Sequence, residues 1–161
     1  KPVIAQIQGY AVGGGFAITA GADIRIATPD AKFGVPTART LGNTLSMKNY
    51  AMFADLIGPS RVKELMFTAR LMTADEALTA GFVHEIIPHE KIEARVKELA
   101  QKIASHAPLT LWSTKEALRR LQDARPLPDG DDIVRKVYGS EDFKEGVRAF
   151  VEKRPPRWTG K

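Results

Sequence analysis

The feature that most constrains this chain is an uncharged run over residues 2–22, which carries glycines at positions 9, 13, 14, 15 and 21. These glycines, together with Gln6 and Gln8, break the apolar residues into pieces too short to cross a bilayer. The run therefore predicts the buried interior of a folded domain, and excludes a signal peptide or a membrane span. Residues 3–7 favour a strand that leads into a glycine turn, and residues 16–22 favour a short helix packed on all sides.

The order strand, glycine turn, helix, strand predicts an α/β layer fold with parallel strands and crossover helices. Further strands are predicted at 24–27, 32–35 and 82–87, and helices at 46–57, 60–68, 74–81, 90–106, 109–121, 131–138 and 141–153. Thr73 and Glu76 have the spacing of a capping box. Trp112 and Leu118 are expected in the core. We expect two domains, an α/β core in residues 1–88 and a helical region in residues 89–161.

Composition excludes several classes of site. The 161 residues include no cysteine, so disulfide frameworks, zinc thiolate sites and cysteine nucleophiles are ruled out. The net charge of +5 comes mainly from residues 153–161, which hold four basic residues and no acidic one. We expect this tail to be solvated; a clamp for phosphate or for a neighbouring subunit, and RNA binding, are the alternatives.

Nucleotide, hydrolase and metal motifs are missing. Gly9 and Gly14 have the spacing of a phosphate-binding loop, but Gly15 stands where the lysine is required. The dinucleotide pattern fails at Ala11 and Ile18, and no serine lies in a G-x-S-x-G elbow. Neither His-Glu pair has a second histidine four residues on, so no metal site is expected.

Consecutive glycines before a helix allow backbone N–H groups to approach a ligand and to stabilise negative charge on a carbonyl oxygen. Such an oxyanion hole contributes about 3 kcal/mol per donor in a transition state. Spacing alone favours the alternative, in which the glycines serve a tight turn or close packing of helix on sheet.

Several segments, spread over essentially the whole chain, resemble the enoyl-CoA hydratase/isomerase, or crotonase, superfamily. They are Lys1-Pro2-Val3-Ile4-Ala5, Gly9-Tyr10-Ala11-Val12-Gly13-Gly14-Gly15, Ala22-Asp23-Ile24-Arg25-Ile26-Ala27, Ala31-Lys32-Phe33-Gly34-Val35-Pro36, Phe67-Thr68-Ala69-Arg70, Ala74 to Val83, and Glu145-Gly146-Val147-Arg148-Ala149-Phe150-Val151-Glu152-Lys153-Arg154. The resemblance implies a layered ClpP/crotonase fold of ββα units followed by a helical region that forms trimer contacts and the acyl pocket. It covers the C-terminal three fifths of the family domain.

The resemblance implies a coenzyme A thioester whose carbonyl oxygen accepts a hydrogen bond from the Gly14 backbone N–H, stabilising an enolate. In the family, a second donor and most coenzyme A contacts lie in a segment that precedes this sequence. We therefore expect the chain to be a fragment, or to be completed by a separate polypeptide. The substrate-binding residues implied are Gly13, Pro36, Arg39, Asn43, Phe150 and Lys153. The resemblance implies that the last two act on the site of a neighbouring subunit.

The acid/base positions depart from the hydratase pattern. Where hydratases carry two glutamates, this chain has Ala17 and Thr37, and residues 1–63 hold only the three carboxylates of Asp23, Asp30 and Asp55. Addition of water across an enoyl thioester needs a pair of carboxylates, one to activate water and one to deliver the proton. The usual hydratase chemistry is thus not expected from these positions. Asp23 is expected to be structural, and His84, His89 and His106 to be solvated or at the edge of the core.

We expect an enoyl-CoA hydratase/isomerase-like enzyme, a lyase or isomerase, that takes an acyl-CoA substrate and needs no cofactor besides the coenzyme A of that substrate. The alternatives are a catalytically silent acyl-CoA-binding or assembly subunit, and a non-hydratase crotonase such as a decarboxylase. The resemblance further implies a role in fatty acid metabolism and a homotrimer or hexamer. We expect no membrane or nucleic-acid partner and a cytoplasmic location, with a mitochondrial one as the alternative.

Overall fold

The structure, a computed structural model, describes residues 1–161. Its six strands are β1 (Ile4–Ile7), β2 (Tyr10–Val12), β3 (Ile24–Ala27), β4 (Lys32–Gly34), β5 (Met72–Thr73) and β6 (Glu85–Ile86). Its eight helices are α1 (Gly14–Ala20), α2 (Met47–Ile57), α3 (Pro59–Thr68), α4 (Ala74–Thr79), α5 (His89–Ala104), α6 (Pro108–Asp123), α7 (Asp131–Tyr138) and α8 (Glu141–Val151).

The chain forms two compact units, each made of two separate stretches of sequence. Unit 1 comprises residues 1–33 and 72–127, and unit 2 comprises residues 34–71 and 128–161. These two units do not coincide with the two expected domains, which meet after residue 88. The division into those two domains stays a prediction.

Two small sheets organise unit 1. In the first, β1, β3 and β6 lie side by side and both pairs run parallel, with Ile4 opposite Ile24 and Ile26 opposite Glu85. This confirms the predicted parallel arrangement. The second sheet has the order β2, β4, β5, and the β4 and β5 strands run antiparallel.

The predicted strand at 82–87 is shorter than expected. The backbone N–H groups of Phe82 and Val83 both donate to the Ala77 carbonyl at 2.9 and 3.1 Å. These residues therefore close the end of α4 and do not extend β6. The predicted capping box at the start of α4 is confirmed, since Glu76 N–H donates to Thr73 Oγ1 at 3.2 Å and Thr73 N–H donates to Glu76 Oε2 at 2.7 Å.

An aromatic cluster forms the centre of unit 1. The Phe82 ring is fully buried and contacts Phe16 of α1 and Phe33 of β4, with centroids 4.8 and 5.3 Å apart. Because Phe16, Phe33 and Phe82 come from α1, β4 and the segment after α4, this cluster packs the short helix against β4 and that segment.

The expectation that Trp112 and Leu118 belong to the core is wrong. Both side chains are 57% exposed, and α6 as a whole contains no buried residue. An amphipathic spacing predicts which residues share a helix face, but it does not show whether anything packs on that face.

The C-terminal tail was expected to be solvated, and the structure shows that its backbone is held against α8 in unit 2. The Asp142 carboxylate accepts the N–H groups of Thr159 and Gly160 at 2.6 and 2.8 Å. The Glu145 carboxylate accepts two hydrogen bonds from the Arg154 guanidinium, at 2.6 and 2.9 Å. Most tail residues are exposed, as expected, but the acidic residues of α8 that hold the tail could not be inferred from the composition of the tail alone.

The pKa of Glu145 predicts how acid affects the attachment of the tail to α8. Hydrogen bonds from Arg154, and then from the Arg157 N–H, lower the pKa of Glu145 from 4.5 to about 2. A carboxyl group whose pKa is depressed by folding stabilises the fold above its unfolded pKa, and this stabilisation is lost as the pH falls through the folded pKa. The stability that Glu145 contributes should therefore disappear between about pH 4.5 and about pH 2.

We expect the full-length Glu145→Gln variant to melt at a lower temperature than the wild type at pH 7, and to lose less on acidification from about pH 5 to about pH 2.5. Thermal unfolding followed by circular dichroism measures this difference. Glu141→Gln is the matched control, because Glu141 is an exposed residue of the same helix that pairs only with Lys144. An equal acid-dependent loss in wild type and Glu145→Gln would contradict the assignment.

Candidate active site

The glycine turn connects β2 to α1 in unit 1. Gly13 precedes the helix with φ 60° and ψ −118°, and its carbonyl accepts the Ala17 N–H at 3.2 Å. Gly14 is the first residue of α1 and is exposed. As the first residue, its backbone N–H has no acceptor within its own helix. The turn thus presents a backbone donor at an accessible position.

The structure distinguishes between the two explanations of the glycines. A Cβ atom built at Gly13, Gly14 or Gly15 would meet no atom within 4 Å, so close packing of helix on sheet does not require any of them. Gly13 needs its positive φ and is explained by the turn. Gly14 and Gly15 have no such requirement, and their missing side chains leave open space beside the backbone. That is the condition under which a ligand can approach a backbone N–H.

The carboxylates nearest to the glycine turn in sequence, Asp23 and Asp30, both have hydrogen-bond or ion-pair partners. Ala17 lies in α1 and is half-buried. The Asp23 carboxylate accepts the Val3 N–H at 2.7 Å and pairs with the Lys115 ammonium at 2.6 Å, which confirms its expected structural role. Asp30 contacts His89 at 2.7 Å, and a hydrogen bond from Thr28 is the main cause that lowers the pKa of Asp30.

The predicted pocket residues Pro36, Thr37 and Arg39 form a turn in unit 2. The Pro36 carbonyl accepts the Arg39 N–H at 3.1 Å, and the Thr37 carbonyl accepts the Gly42 N–H at 2.8 Å. Thr37 is buried, whereas Arg39 is exposed. Thr37 is thus fixed in the interior of a turn, where a charged side chain would need a partner.

Asn43 is the polar residue of this turn region with an incomplete set of hydrogen bonds. Its amide nitrogen donates to the Tyr138 hydroxyl at 3.4 Å, and that hydroxyl donates to the Thr44 carbonyl at 3.3 Å. The amide oxygen of Asn43 is buried and has no hydrogen-bond partner. Because an unpaired buried acceptor costs about 1–3 kcal/mol, this oxygen is a polar atom whose burial the chain's own hydrogen bonds do not compensate.

The C-terminal candidates also lie in unit 2. Phe150 projects from α8 with 66% of its surface exposed, and Lys153 follows the helix with φ 54°. Gly146 packs against Leu41, where an added Cβ would overlap the Leu41 carbonyl oxygen, and Trp158 packs against Gly42. The structure therefore places Gly13, Gly14 and Ala17 in unit 1, and Pro36, Thr37, Arg39, Asn43, Phe150 and Lys153 in unit 2.

Sequence reasoning passed over three residues that the geometry makes prominent: Arg25, Tyr138 and Trp158. Arg25 had a visible signal, because a charged residue within an apolar strand implies a buried and compensated charge. No sequence pattern indicates Tyr138 or Trp158, since each contacts a residue that is about a hundred positions away in sequence.

An apolar groove of about 450 Å³ lies elsewhere in unit 1, lined by Pro2, Ile4, Ile103, Leu111 and Trp112 among others. It contains none of the predicted site residues. His106 lies at this groove, and His84 accepts the Arg25 backbone N–H on Nδ1 at 3.1 Å. Neither histidine is thus part of the glycine turn.

The described residues include no group of three or more His, Asp or Glu side chains placed to hold a metal ion. None of the eight helices qualifies as a transmembrane span by length and polarity.

Comparison with known proteins gives a consistent result over the whole chain. The family model described as enoyl-CoA hydratase/isomerase matches residues 1–161. The carnitinyl-CoA dehydratase of Salmonella typhi is 36% identical over 169 aligned residues, which cover 100% of this chain and 64% of that protein. The chain thus spans less than two thirds of the length of this relative.

Solved structures agree with this fold. A methylmalonyl-CoA decarboxylase in complex with 2-nitronate-propionyl-CoA superposes with a TM-score of 0.93 at 32% identity, covering 100% of this chain and 64% of that one. The carnitinyl-CoA hydratase from Mycobacterium avium superposes with a TM-score of 0.82 at 29% identity, with the same coverage. The described chain has the crotonase fold, and it belongs to the enoyl-CoA hydratase/isomerase family.

Proposed function

We propose that this chain carries the Gly14 part of an oxyanion hole in an enzyme that acts on acyl-CoA thioesters through an enolate. The observation that carries the proposal is the open space beside Gly14 and Gly15, which the chain's own packing does not explain. A thioester carbonyl oxygen at this position accepts the Gly14 N–H. Negative charge that develops on the oxygen during enolate formation strengthens this hydrogen bond in the transition state.

The type of reaction depends on which groups can move protons. By the family resemblance, Ala17 and Thr37 stand where hydratases carry their two glutamates, and neither side chain is a general base at neutral pH. A reaction that forms the enolate without removing a proton requires no general base. In the decarboxylation of a 2-carboxyacyl thioester, the bond to the carboxylate breaks, its electron pair enters the enolate, and carbon dioxide leaves. Water then protonates the α-carbon.

Two observations favour decarboxylation as the second candidate, beside hydratase/isomerase-like chemistry. A methylmalonyl-CoA decarboxylase superposes with a higher TM-score than the carnitinyl-CoA hydratase, 0.93 against 0.82. In addition, a 2-carboxyacyl substrate is anionic, and a glutamate at the position of Ala17 would repel its carboxylate. An uncharged residue there suits this substrate class.

We also propose that the assembled enzyme is a homotrimer or hexamer, needs no cofactor besides the coenzyme A of its substrate, and works in the cytoplasm. Support for subunit contacts comes from large apolar side chains that remain exposed on α6 and α8, among them Leu109, Leu121, Phe150 and Val151. Arg39, Asn43, Phe150 and Lys153 are proposed to bind the acyl-CoA, together with Gly13 and Pro36.

Gly14→Pro tests the donor directly. Proline removes the N–H and is well tolerated as the first residue of a helix, so the turn should persist. We expect kcat of the full-length enzyme to fall about a hundredfold or more. Glu141→Pro is the matched control, because Glu141 is also the exposed first residue of a helix but belongs to unit 2. Wild-type turnover in Gly14→Pro would contradict the proposal.

The reaction class is tested by incubating the full-length protein with malonyl-type and enoyl-CoA thioesters in D2O. If the decarboxylase candidate is right, carbon dioxide is released and mass spectrometry finds one deuterium at the α-carbon of the product. Hydration of an enoyl-CoA without release of carbon dioxide would instead support the hydratase/isomerase-like candidate. Binding of all thioesters with no product would favour a catalytically silent subunit.

A further inference from the structure

Arg25 is a charged residue in the interior of unit 1. It lies in β3 between Ile24 and Ile26, and only 4% of its surface is exposed. Burial lowers the pKa of its guanidinium, and the charge of Asp23 acts in the opposite direction. A buried charge is costly unless its environment compensates for the lost water, so the groups around this guanidinium define its role.

These groups are backbone carbonyls at the end of α1. The Nη1 atom of Arg25 donates to the carbonyls of Thr19 and Ala20 at 3.5 and 3.4 Å, and also to the Ala22 carbonyl just beyond the helix. The carbonyls at the end of a helix have no intrahelical partner and carry its partial negative charge. The guanidinium therefore lies against this end of α1, and its closest hydrogen bond there is to the Ala22 carbonyl just beyond the helix.

The same guanidinium is attached to the aromatic cluster. Its Nε atom donates to the Phe82 carbonyl, and its central carbon lies 5.1 Å from the centroid of the Phe82 ring. Phe16, which belongs to α1, contacts the same Phe82 ring. Arg25 and Phe82 thus hold α1 at two points, one in the helix and one at its end.

The helix depends on such contacts for its position. It has seven residues, no charged residue, glycines at both caps and no side-chain N-cap. A helix of this length is not stable by itself in water. Since α1 is only about 10 Å long, a small tilt at Ala20 also moves Gly14.

We propose that Arg25 is a positioning residue for catalysis: by holding the end of α1, it fixes the direction in which the Gly14 N–H points. This rests on the proposed function, in which that N–H stabilises an enolate. Displacement of a catalytic donor by about 1 Å can cost about a hundredfold in rate. A residue that serves only the stability of the core would leave the strength of this hydrogen bond unchanged in the folded protein.

The test uses a spectroscopic signal from the hydrogen bond itself. A saturated acyl-CoA labelled with 13C at the thioester carbonyl is bound to the full-length protein, and isotope-edited infrared spectroscopy measures the carbonyl stretch. Hydrogen bonding to the oxygen lowers this frequency. We expect the wild type to lower it, and Gly14→Pro to lose the part due to this donor.

Two variants of Arg25 are compared. Arg25→Lys keeps the charge but lacks the forked geometry, whereas Arg25→Met removes the charge and leaves the carbonyls of Phe82 and Ala22 without this donor. We expect both to lose about half or more of the shift and to lower kcat about tenfold or more, with KM little changed. Arg95→Lys is the matched control, because Arg95 also forms a forked contact in unit 1, with Glu85 at 2.7 and 2.8 Å.

A folded Arg25→Lys or Arg25→Met variant with the full shift and the kcat of the control would overturn the positioning role. If Gly14→Pro abolishes the shift while the Arg25 variants keep it, the proposed function stands and the inference about Arg25 fails. If the wild type shows no shift on binding and Gly14→Pro turns over normally, the proposed function itself fails.

Discussion

The contact between the Phe82 ring and its neighbours is the interaction on which the rest of unit 1 depends. Phe16, Phe33 and the Arg25 guanidinium surround this ring, and they come from α1, β4 and β3. An uncharged seven-residue helix between glycines has little stability of its own. It is held because its apolar side chain and its terminal carbonyls are both engaged by this one cluster. The direction of the glycine turn at its other end follows from that.

The electrostatics of the glycine turn suit a reaction that starts from charge already on the substrate. Residues 2–22 hold no charge, and the nearest carboxylates in sequence, Asp23 and Asp30, are engaged by Lys115 and His89. Ala17 adds no base. A backbone N–H is then the main polar group that the turn offers, and it favours charge that develops on a carbonyl oxygen. This combination supports the proposed enolate chemistry.

Much of the fold follows from local patterns in the sequence. The parallel order of β1 and β3 was predicted from a strand, glycine turn, helix and strand in succession, and the capping box at Thr73 from two residues three apart. The features of the fold that could not be predicted depend on residues that are far apart in sequence. The two-residue strand β5 exists only because β4 lies beside it, and the attachment of the tail needs Asp142 and Glu145. Trp112 was misjudged because a helix pattern does not show whether a packing partner is present.

The candidate site likewise has a part that the sequence predicts and a part that only the structure shows. The sequence identified Gly14, Ala17 and Thr37 through the family resemblance, but the spacing of the glycines did not distinguish a ligand site from tight packing. Within this chain the structure shows no packing that requires these glycines, because a Cβ at Gly14 or Gly15 would meet no atom within 4 Å. Arg25 was visible as a charge in an apolar strand, yet its role required knowing that the carbonyls of Thr19 and Ala20 end beside it.

A crystal structure of the full-length protein with a bound, unreactive acyl-CoA tests the central claim most directly. We predict that the thioester carbonyl oxygen lies within about 2.7–3.2 Å of the Gly14 backbone nitrogen, in line with its N–H. A thioester bound with its carbonyl oxygen directed away from Gly14 would contradict it.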